Sequence, residues 1–308
     1  MTVSRKIVVV GSLNMDVTLG VNLLPKPNET IMGHETRQAV GGKGLNQAVA
    51  LARLGCFTAM IGAVGDDVFG AQARQHLIDN RVDVSHVSTL AGLPTGMAHI
   101  LVARDGQNMI TVSPGANAGL TPAAVEAAAD LIVEADALVV QLEVPLETVR
   151  RALEIARAHS VLTVLNPAPI IPSALSLLPL ADVVTPNETE LAQLSGIDGL
   201  GDAALHAALH SLIKAGAGRA LVTLGGRGCA ALVDGTLVHL PAYKVSAVDA
   251  TGAGDVFNGA LVSQLAGGAK WLLALRYALA AGALSVSRAS ADAAPTPAQI
   301  DAFMREVA

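Results

Sequence analysis

The segment Asp249-Ala250-Thr251-Gly252-Ala253-Gly254-Asp255 carries the strongest chemical signal in the chain. Small residues at 252–254 let the backbone approach a ligand closely. The helical pattern that follows, Asp255–Leu265, would aim free amide groups and the positive end of its dipole at that ligand. Such an anion site suits a phosphoryl group in transfer. Asp255, in the first helical turn, is placed to accept a proton from an attacking hydroxyl. Taken alone, the segment fits equally well a plain helix start whose acid favours the dipole.

Other polar clusters fall at the ends of apolar runs. Gly41-Gly42-Lys43-Gly44-Leu45-Asn46 is not a P-loop, because Gly44 rather than Ser or Thr follows Lys43, and it lacks dinucleotide-binding spacing. A lysine, an amide side chain and exposed backbone amides at a helix start can hold a polyhydroxylated ligand; a flexible loop with a solvated lysine is the alternative. Asn14 and Asp16 follow the first apolar run, and a spacing of two in extended chain points them the same way. Glu143 follows the run Ala137–Leu142 and precedes Pro145. Ligands of open α/β sheets bind at such strand ends, although turns and surface loops also fall there. In Thr185-Pro186-Asn187-Glu188-Thr189-Glu190, one acid can hold Mg²⁺ through water, and Asn187 with Glu190 matches a capping box in kind. Thr223-Leu224-Gly225-Gly226-Arg227-Gly228 ends a buried run with a glycine turn, which either receives a nucleotide or closes a hairpin. The histidines show no ligand-type spacing.

The elements that must position these residues alternate. Strands are expected at Lys6–Leu13, Thr58–Val64, Ala137–Leu142, Val161–Leu165 and Ala220–Leu224. Helices are expected at Asn46–Leu54, Val68–Ile78, Leu146–Ala158, Ala203–Ala215, Asp255–Leu265 and Trp271–Val286. The Ala-rich stretch Ala123–Ala137 reads as one packed helix feeding a strand. Alternation of β and α implies a parallel sheet covered on both faces. Two stretches break it: Val17–Val40, and Thr95–Val112, where Asp105-Gly106 is a strong hairpin signal. These strands would form a small accessory sheet, and beside the strand ends it would act as a lid.

These pieces, in this order, resemble the ribokinase family of carbohydrate kinases over nearly the whole chain. The resemblance rests on Gly11-Ser12-Leu13-Asn14-Met15-Asp16, the Gly41–Ala48 run, Pro114-Gly115-Ala116-Asn117, Gln141-Leu142-Glu143, Asn166-Pro167-Ala168-Pro169, Thr185–Glu190 and Asp249–Asp255. It implies a single domain over residues 1–308, with a three-layer α/β/α core, a mostly parallel sheet and a small β-sheet lid drawn from 14–40 and 95–112. It implies transfer of the γ-phosphoryl group of ATP to the 5-hydroxyl of D-ribose, with Mg²⁺ and K⁺. By the resemblance, Asp255 is the general base and Gly252, Ala253 and Gly254 form the anion hole. Asn14, Asp16, Gly42, Lys43, Asn46 and Glu143 hold sugar hydroxyls. Asn187, Thr223, Gly225, Gly228 and Gly254 contact ATP, with Glu190 near Mg²⁺. Asp249 and Thr251 belong to a monovalent-cation site completed near Ser285, Arg288 and Ser290. The lid sheet of the family also forms a homodimer contact.

The chain departs from the family pattern in places. Ala294 has no side-chain oxygen where a hydroxyl is expected, Leu279 stands where a polar or ring side chain borders adenine, and Asn28 replaces a glycine in a lid turn. Within the same class, kinases of 2-deoxyribose or of a nucleoside such as pseudouridine are the rivals. A sugar-binding regulator without catalysis is the rival of another class, and the intact Gly252–Asp255 disfavours it. An oxidoreductase would need a Gly-x-Gly-x-x-Gly turn after the first strand, where Gly11 is instead followed by Ser12-Leu13-Asn14.

Composition narrows the classes further. The chain has 308 residues, 52% of them hydrophobic and only 15% charged, so a membrane reading must be tested. The longest charge-free run, Ser160–Ala181, is broken by Pro167, Pro169, Pro172 and Pro179 and cannot be a membrane helix. A net charge of −6 and 2% aromatic residues argue against a nucleic-acid partner. No secretory h-region follows Arg5-Lys6, and Cys56 and Cys229 have no metal spacing, so both read as buried thiols in the cytoplasm.

Overall fold

Ile7 and Val9 of the first strand (β1, Lys6–Val10) join one layer of buried apolar side chains, and Val8 and Val10 join another. That is the period of two expected for a strand buried on both faces. The computed structural model describes residues 5–199, 201–288 and 294–307. After β1 come β2 (Asn14–Val21), β3 (Gly33–Gly41), α1 (Lys43–Arg53), β4 (Phe57–Gly65), α2 (Val68–Asp79) and β5 (Val82–Leu90). The hairpin β6 (Gly96–Ala103) and β7 (Asn108–Ser113) leads to α3 (Pro122–Glu126), α4 (Ala129–Val133), β8 (Ala137–Val140), α5 (Leu146–Ala158) and β9 (Leu162–Leu165). The last third is β10 (Val183–Val184), α6 (Glu188–Ser195), α7 (Asp202–Lys214), β11 (Arg219–Thr223), β12 (Cys229–Val233), β13 (Thr236–Leu240), α8 (Ala253–Ala266), α9 (Trp271–Val286) and α10 (Pro297–Glu306).

The main sheet runs β13-β12-β11-β10-β9-β8-β1-β4-β5. It is parallel from β5 to β11, while β12 and β13 are antiparallel additions at one edge. Residues of α1, α8 and α9 pack on one face, and residues of α5, α6 and α7 on the other. The chain builds outward from β1 through β4 to β5, then returns to place β8 on the other side of β1. Strand order therefore reverses between β1 and β8, and the crevice at their carboxyl ends is where open α/β sheets take ligands.

The second sheet, β3-β2-β6-β7, grows from the end of β1 through Gly11-Ser12-Leu13. Its β6–β7 pair is the expected hairpin around Asp105-Gly106. In the turn before Glu29-Thr30, Asn28 adopts a left-handed angle (φ 66°) that a glycine would take freely.

Several boundaries differ from expectation. The strand expected over Lys6–Leu13 stops at Val10; Leu13 extends the apolar run only because it is buried beneath the turn. Helix α1 starts three residues before Asn46, since Gly42 takes φ 97° and lets the chain turn directly into it. The single helix expected over Ala123–Ala137 is two short ones. The chain leaves helical geometry at Ala128 (ψ 14°), whose methyl is buried, and no side chain there explains the break. Strand β12 answers to the hairpin offered as one reading of the Thr223–Gly228 turn, while β13 was not expected; the two meet at Asp234-Gly235, the same turn signal that marked β6–β7. Among the described residues no helix is long and apolar enough to cross a membrane.

Candidate active site

Helix α8 opens with Gly252 in the left-handed region (φ 73°), a conformation that lets a tight turn feed straight into the helix. From Asp255 to Ser263 every residue is buried, so α8 runs through the interior between α1 and α9. Asp255 sits in its first turn. Its Oδ2 accepts from Asn46 Nδ2 and its Oδ1 from Gln47 Nε2, both at 3.0 Å. Burial pushes the Asp255 carboxyl up, against the pull of Lys43 and the two amides, while the Glu143 charge adds to the rise. A carboxylate raised above its ordinary range is a better proton acceptor.

The sugar-side candidates converge on the same place. Asn14 and Asp16 come from the first residues of β2, Gly42, Lys43 and Asn46 from the start of α1, and Glu143 from the end of β8. Glu143 Oε2 accepts from the Lys43 backbone N–H at 3.0 Å and from the Ser12 hydroxyl, so it anchors the amino end of α1. Asn14 is buried, and its Oδ1 accepts from Asn117 Nδ2 at 2.7 Å, which leaves its own NH₂ to donate. The Asp16 carboxylate lies against the Cα of Gly41, where a Cβ would stand 2.2 Å from Oδ2. A Cβ at Gly42 would stand 3.0 Å from both Asn14 N and Ser12 O, so bare backbone is required there.

Electrostatics tie these groups together. Burial, then the Glu143 and Asp255 charges, push Asp16 up to about 6, with Lys43 pulling the other way. Burial alone would lower the Lys43 ammonium, but Asp255, Glu143, Glu190 and Asp16 outweigh it and hold the lysine charged. One cation thus serves four carboxylates from four elements.

The nucleotide-side candidates line the adjoining strand ends. Asn187 caps α6: its Oδ1 accepts from Glu190 N at 2.9 Å, and Glu190 Oε2 accepts from Asn187 N at 2.8 Å. Asn187 also bridges to Thr223 at the end of β11. Gly225 and Gly228, with φ of 54° and 97°, form the turn between β11 and β12. That turn is a hairpin, and an Arg227–Glu188 ion pair fastens it to α6. Burial raises Glu190, offset by the Asn187 N–H and by Lys43, with Asp255 raising it further. Glu190 is therefore close enough to feel both sugar-side groups.

The cation-site candidates lie between α8 and α9. Thr251 N donates to Asp249 Oδ1 at 2.8 Å, and Val248 N donates to Val286 O at 2.7 Å, which brings Asp249 beside Ser285 at the end of α9. Arg288 N donates to Ser285 O at 3.1 Å. Ser290 lies outside the described residues, and Ala294 is buried. The Asp249 carboxylate, the Thr251 hydroxyl and nearby carbonyls are all oxygen donors, which fits a hard monovalent ion. Glu190, a lone carboxylate, fits Mg²⁺ held through water. Among the described residues no three His, Cys, Asp or Glu side chains form a metal-binding group. In the anion-hole segment, Ala253 N donates to Ala250 O at 3.2 Å.

Behind these residues lies a layer of buried amides and hydroxyls, Ser12, Gln47, Asn117, Gln141, Asn166, Thr185 and Asn258; all but Asn258 fall in segments that carry the family resemblance, but sequence reasoning gave them no role. Thr185 Oγ1 donates to Asn258 Oδ1 at 2.7 Å, and Asn258 Nδ2 donates to Gly254 O at 2.9 Å, which ties the start of α8 to the end of β10. The available signal was a polar residue inside or beside an apolar run, as at Gln47 and Gln141.

Comparison with known proteins gives a consistent picture. The family described as "pfkB family carbohydrate kinase" matches residues 4–299. A ribokinase of Haemophilus influenzae is 37% identical over 287 residues, covering 93% of this chain and 94% of its own. A deoxyribokinase of Salmonella typhimurium is 36% identical over 254 residues, covering 82% and 83%. The structure of Arabidopsis thaliana ribokinase complexed with ribose and ATP superposes with a TM-score of 0.90 at 28% identity, covering 98% of this chain and 99% of that one.

Proposed function

Because this chain belongs to the pfkB family of carbohydrate kinases, we propose that the sugar it phosphorylates is D-ribose, at O5, giving ribose 5-phosphate. It is an ATP-dependent sugar kinase. The observation that carries the reading is the buried Asp255 carboxylate at the start of α8. It faces Lys43 and the sugar-side acids and is gripped by amides on both oxygens.

The ribose 5-hydroxyl gives its proton to Asp255 as the new O–P bond forms, and the bond from the γ-phosphorus to the β-phosphate oxygen breaks to release ADP. Asn14, Asp16, Gly42, Lys43, Asn46 and Glu143 orient the sugar hydroxyls. Amides of Gly252, Ala253 and Gly254 face the transferring group, with Ala253 exchanging its bond to Ala250 O for one to phosphate. Asn187, Thr223, Gly225 and Gly228 receive the nucleotide. Glu190 would hold Mg²⁺ through water, which would supply neutralisation of the phosphate charge, and Asp249, Thr251 and Ser285 would hold K⁺, which would support the loop before α8. The second sheet closes over the sugar and keeps water from the phosphoryl group. Its β7 edge, with exposed Met109, Ile110 and Val112, supports a homodimer contact, checked by light scattering: a particle of single-chain mass at working concentration would remove it.

Asp255→Asn tests the base. Turnover should fall roughly a hundredfold or more with sugar binding kept; unchanged turnover would refute the role. The second substrate reading, 2-deoxyribose, is favoured by the deoxyribokinase relative. Assaying ribose, 2-deoxyribose and nucleosides at equal concentration separates them, and faster turnover of any of the others than of ribose would overturn the substrate assignment.

A further inference from the structure

Gln47 is fully buried, one residue past Asn46, and its side-chain amide meets three polar groups at once. Nε2 donates to Asp255 Oδ1 at 3.0 Å and to Asn166 Oδ1 at 3.1 Å, and Oε1 accepts from Gln141 Nε2 at 2.7 Å. Gln141 and Asn166 lie just past the ends of β8 and β9, and both are buried too. A primary amide has donors on one end and acceptors on the other. Asn166 identifies the nitrogen end of Gln47, and Gln141 Nε2 meets the oxygen end. Asn166 is itself oriented, because its Nδ2 donates to Thr185 O at 3.3 Å. Asn166 therefore turns the NH₂ of Gln47 toward Asp255, and the Gln141 amide fits that orientation.

We propose that Gln47 is a positioning residue for phosphoryl transfer: locked by Gln141 and Asn166, it holds Asp255 in one orientation and keeps that carboxylate ionised between turnovers. The proposal rests on the reading of Asp255 as the base.

The two amides on Asp255 are not equivalent. Asn46 is only half-buried at the sugar side and is free to turn to a ligand, whereas Gln47 has no other direction available. The charged groups facing Asp255 are Lys43 on α1, Glu143 after β8, Asp16 on β2 and Glu190 on α6. Three of the four are acids and Asp255 is buried, so the surroundings favour a protonated carboxyl, which cannot act as a base. Lys43, Asn46 and the N–H of Gln47 oppose that, and of these only the Gln47 bond is both directed at a single oxygen and shielded from substrate.

Gln47→Leu removes the donor at nearly constant volume, and Gln47→Glu keeps the shape but adds an acid. Both are compared with the parent for kcat, ribose KM and the pH profile of kcat/KM. In Gln47→Leu, kcat falls roughly tenfold or more while KM stays within about threefold. The acid limb moves up by about one pH unit, the direction expected when a hydrogen bond to the charged form is lost. Gln47→Glu moves it further, because two carboxyls then compete for one proton. An acid limb unmoved in both variants, whatever happens to kcat, overturns the proposal. If Gln47→Leu does not fold, the limb of Gln47→Glu decides alone. Asp255→Asn in the same assay separates the two ideas. Unchanged turnover there removes the base itself, whereas lost turnover there with unmoved limbs in the Gln47 variants removes only the role of Gln47.

Discussion

Gly259 on α8 rests on Ala50 of α1 so closely that a Cβ at 259 would stand 2.9 Å from the Ala50 methyl carbon. One turn nearer the amino end of each helix, Asp255 meets Asn46 and Gln47. The missing side chain at 259 therefore sets the helix spacing that the two carboxylate bonds require.

Gly259→Val should push α8 from α1. Overpacking of this kind costs about 1–3 kcal/mol. Tm should fall, and kcat should fall by more than ribose KM rises, since the reacting group moves away from its amides. A folded variant with parental kcat would show that the helix spacing does not govern Asp255.

Asp16 makes stability depend on pH. Its folded value of about 6 stands above the ordinary 3.8, so between these values the folded chain keeps a proton that the unfolded chain has released. The stability this carries is complete below the lower value and is lost as pH rises through the upper one, with an upper bound of about 3 kcal/mol. Asp16→Asn abolishes that dependence. Its Tm relative to the parent should improve steadily between about pH 4 and about pH 7, while ribose KM at neutral pH rises through loss of a hydroxyl partner. Parallel Tm curves for the two proteins would contradict the burial of this charge.

Asp249 lies in the loop tied to the end of α9 and makes no hydrogen bond to the sugar-side groups among the described residues. Asp249→Ala should remove the difference between assays in K⁺ and in a bulky organic cation, and leave ribose KM within about threefold. Persistent K⁺ activation in the variant would place the cation elsewhere.

The chemistry was most legible where it was local. Gly252–Asp255 announces a helix start with an acid in four consecutive residues, and Asn14, Asp16, Glu143 and Asn187 each mark the point where an apolar run ends. The pairing of Asn187 with Glu190 followed from a three-residue spacing and is present as read. The amide layer was not legible, because its contacts span large separations: 94 residues from Gln47 to Gln141 and 119 from Gln47 to Asn166. On α1, Gln47 reads as one polar residue in an amphipathic pattern until the far end of the chain supplies its partner. The break at Ala128 had no signal because alanine favours helix on either side of it. Strand β12 was open to reading as the return of a hairpin, but the glycine turn before it also drew the nucleotide reading, and β13 beyond it was not read.

Strand β1 is laid down first, yet the partners of its crevice arrive last. Gln47 and Asp255 are 208 residues apart, so at about 5–20 residues per second the ribosome needs roughly 10–40 s to deliver the second after the first. Glu143 completes the sugar-side half only about midway through that interval, and none of the helix that closes the pocket is present until its end. Ribose and ATP together can therefore be gripped only by a finished chain, and their protection against a protease added during translation would time the moment α8 threads between α1 and α9.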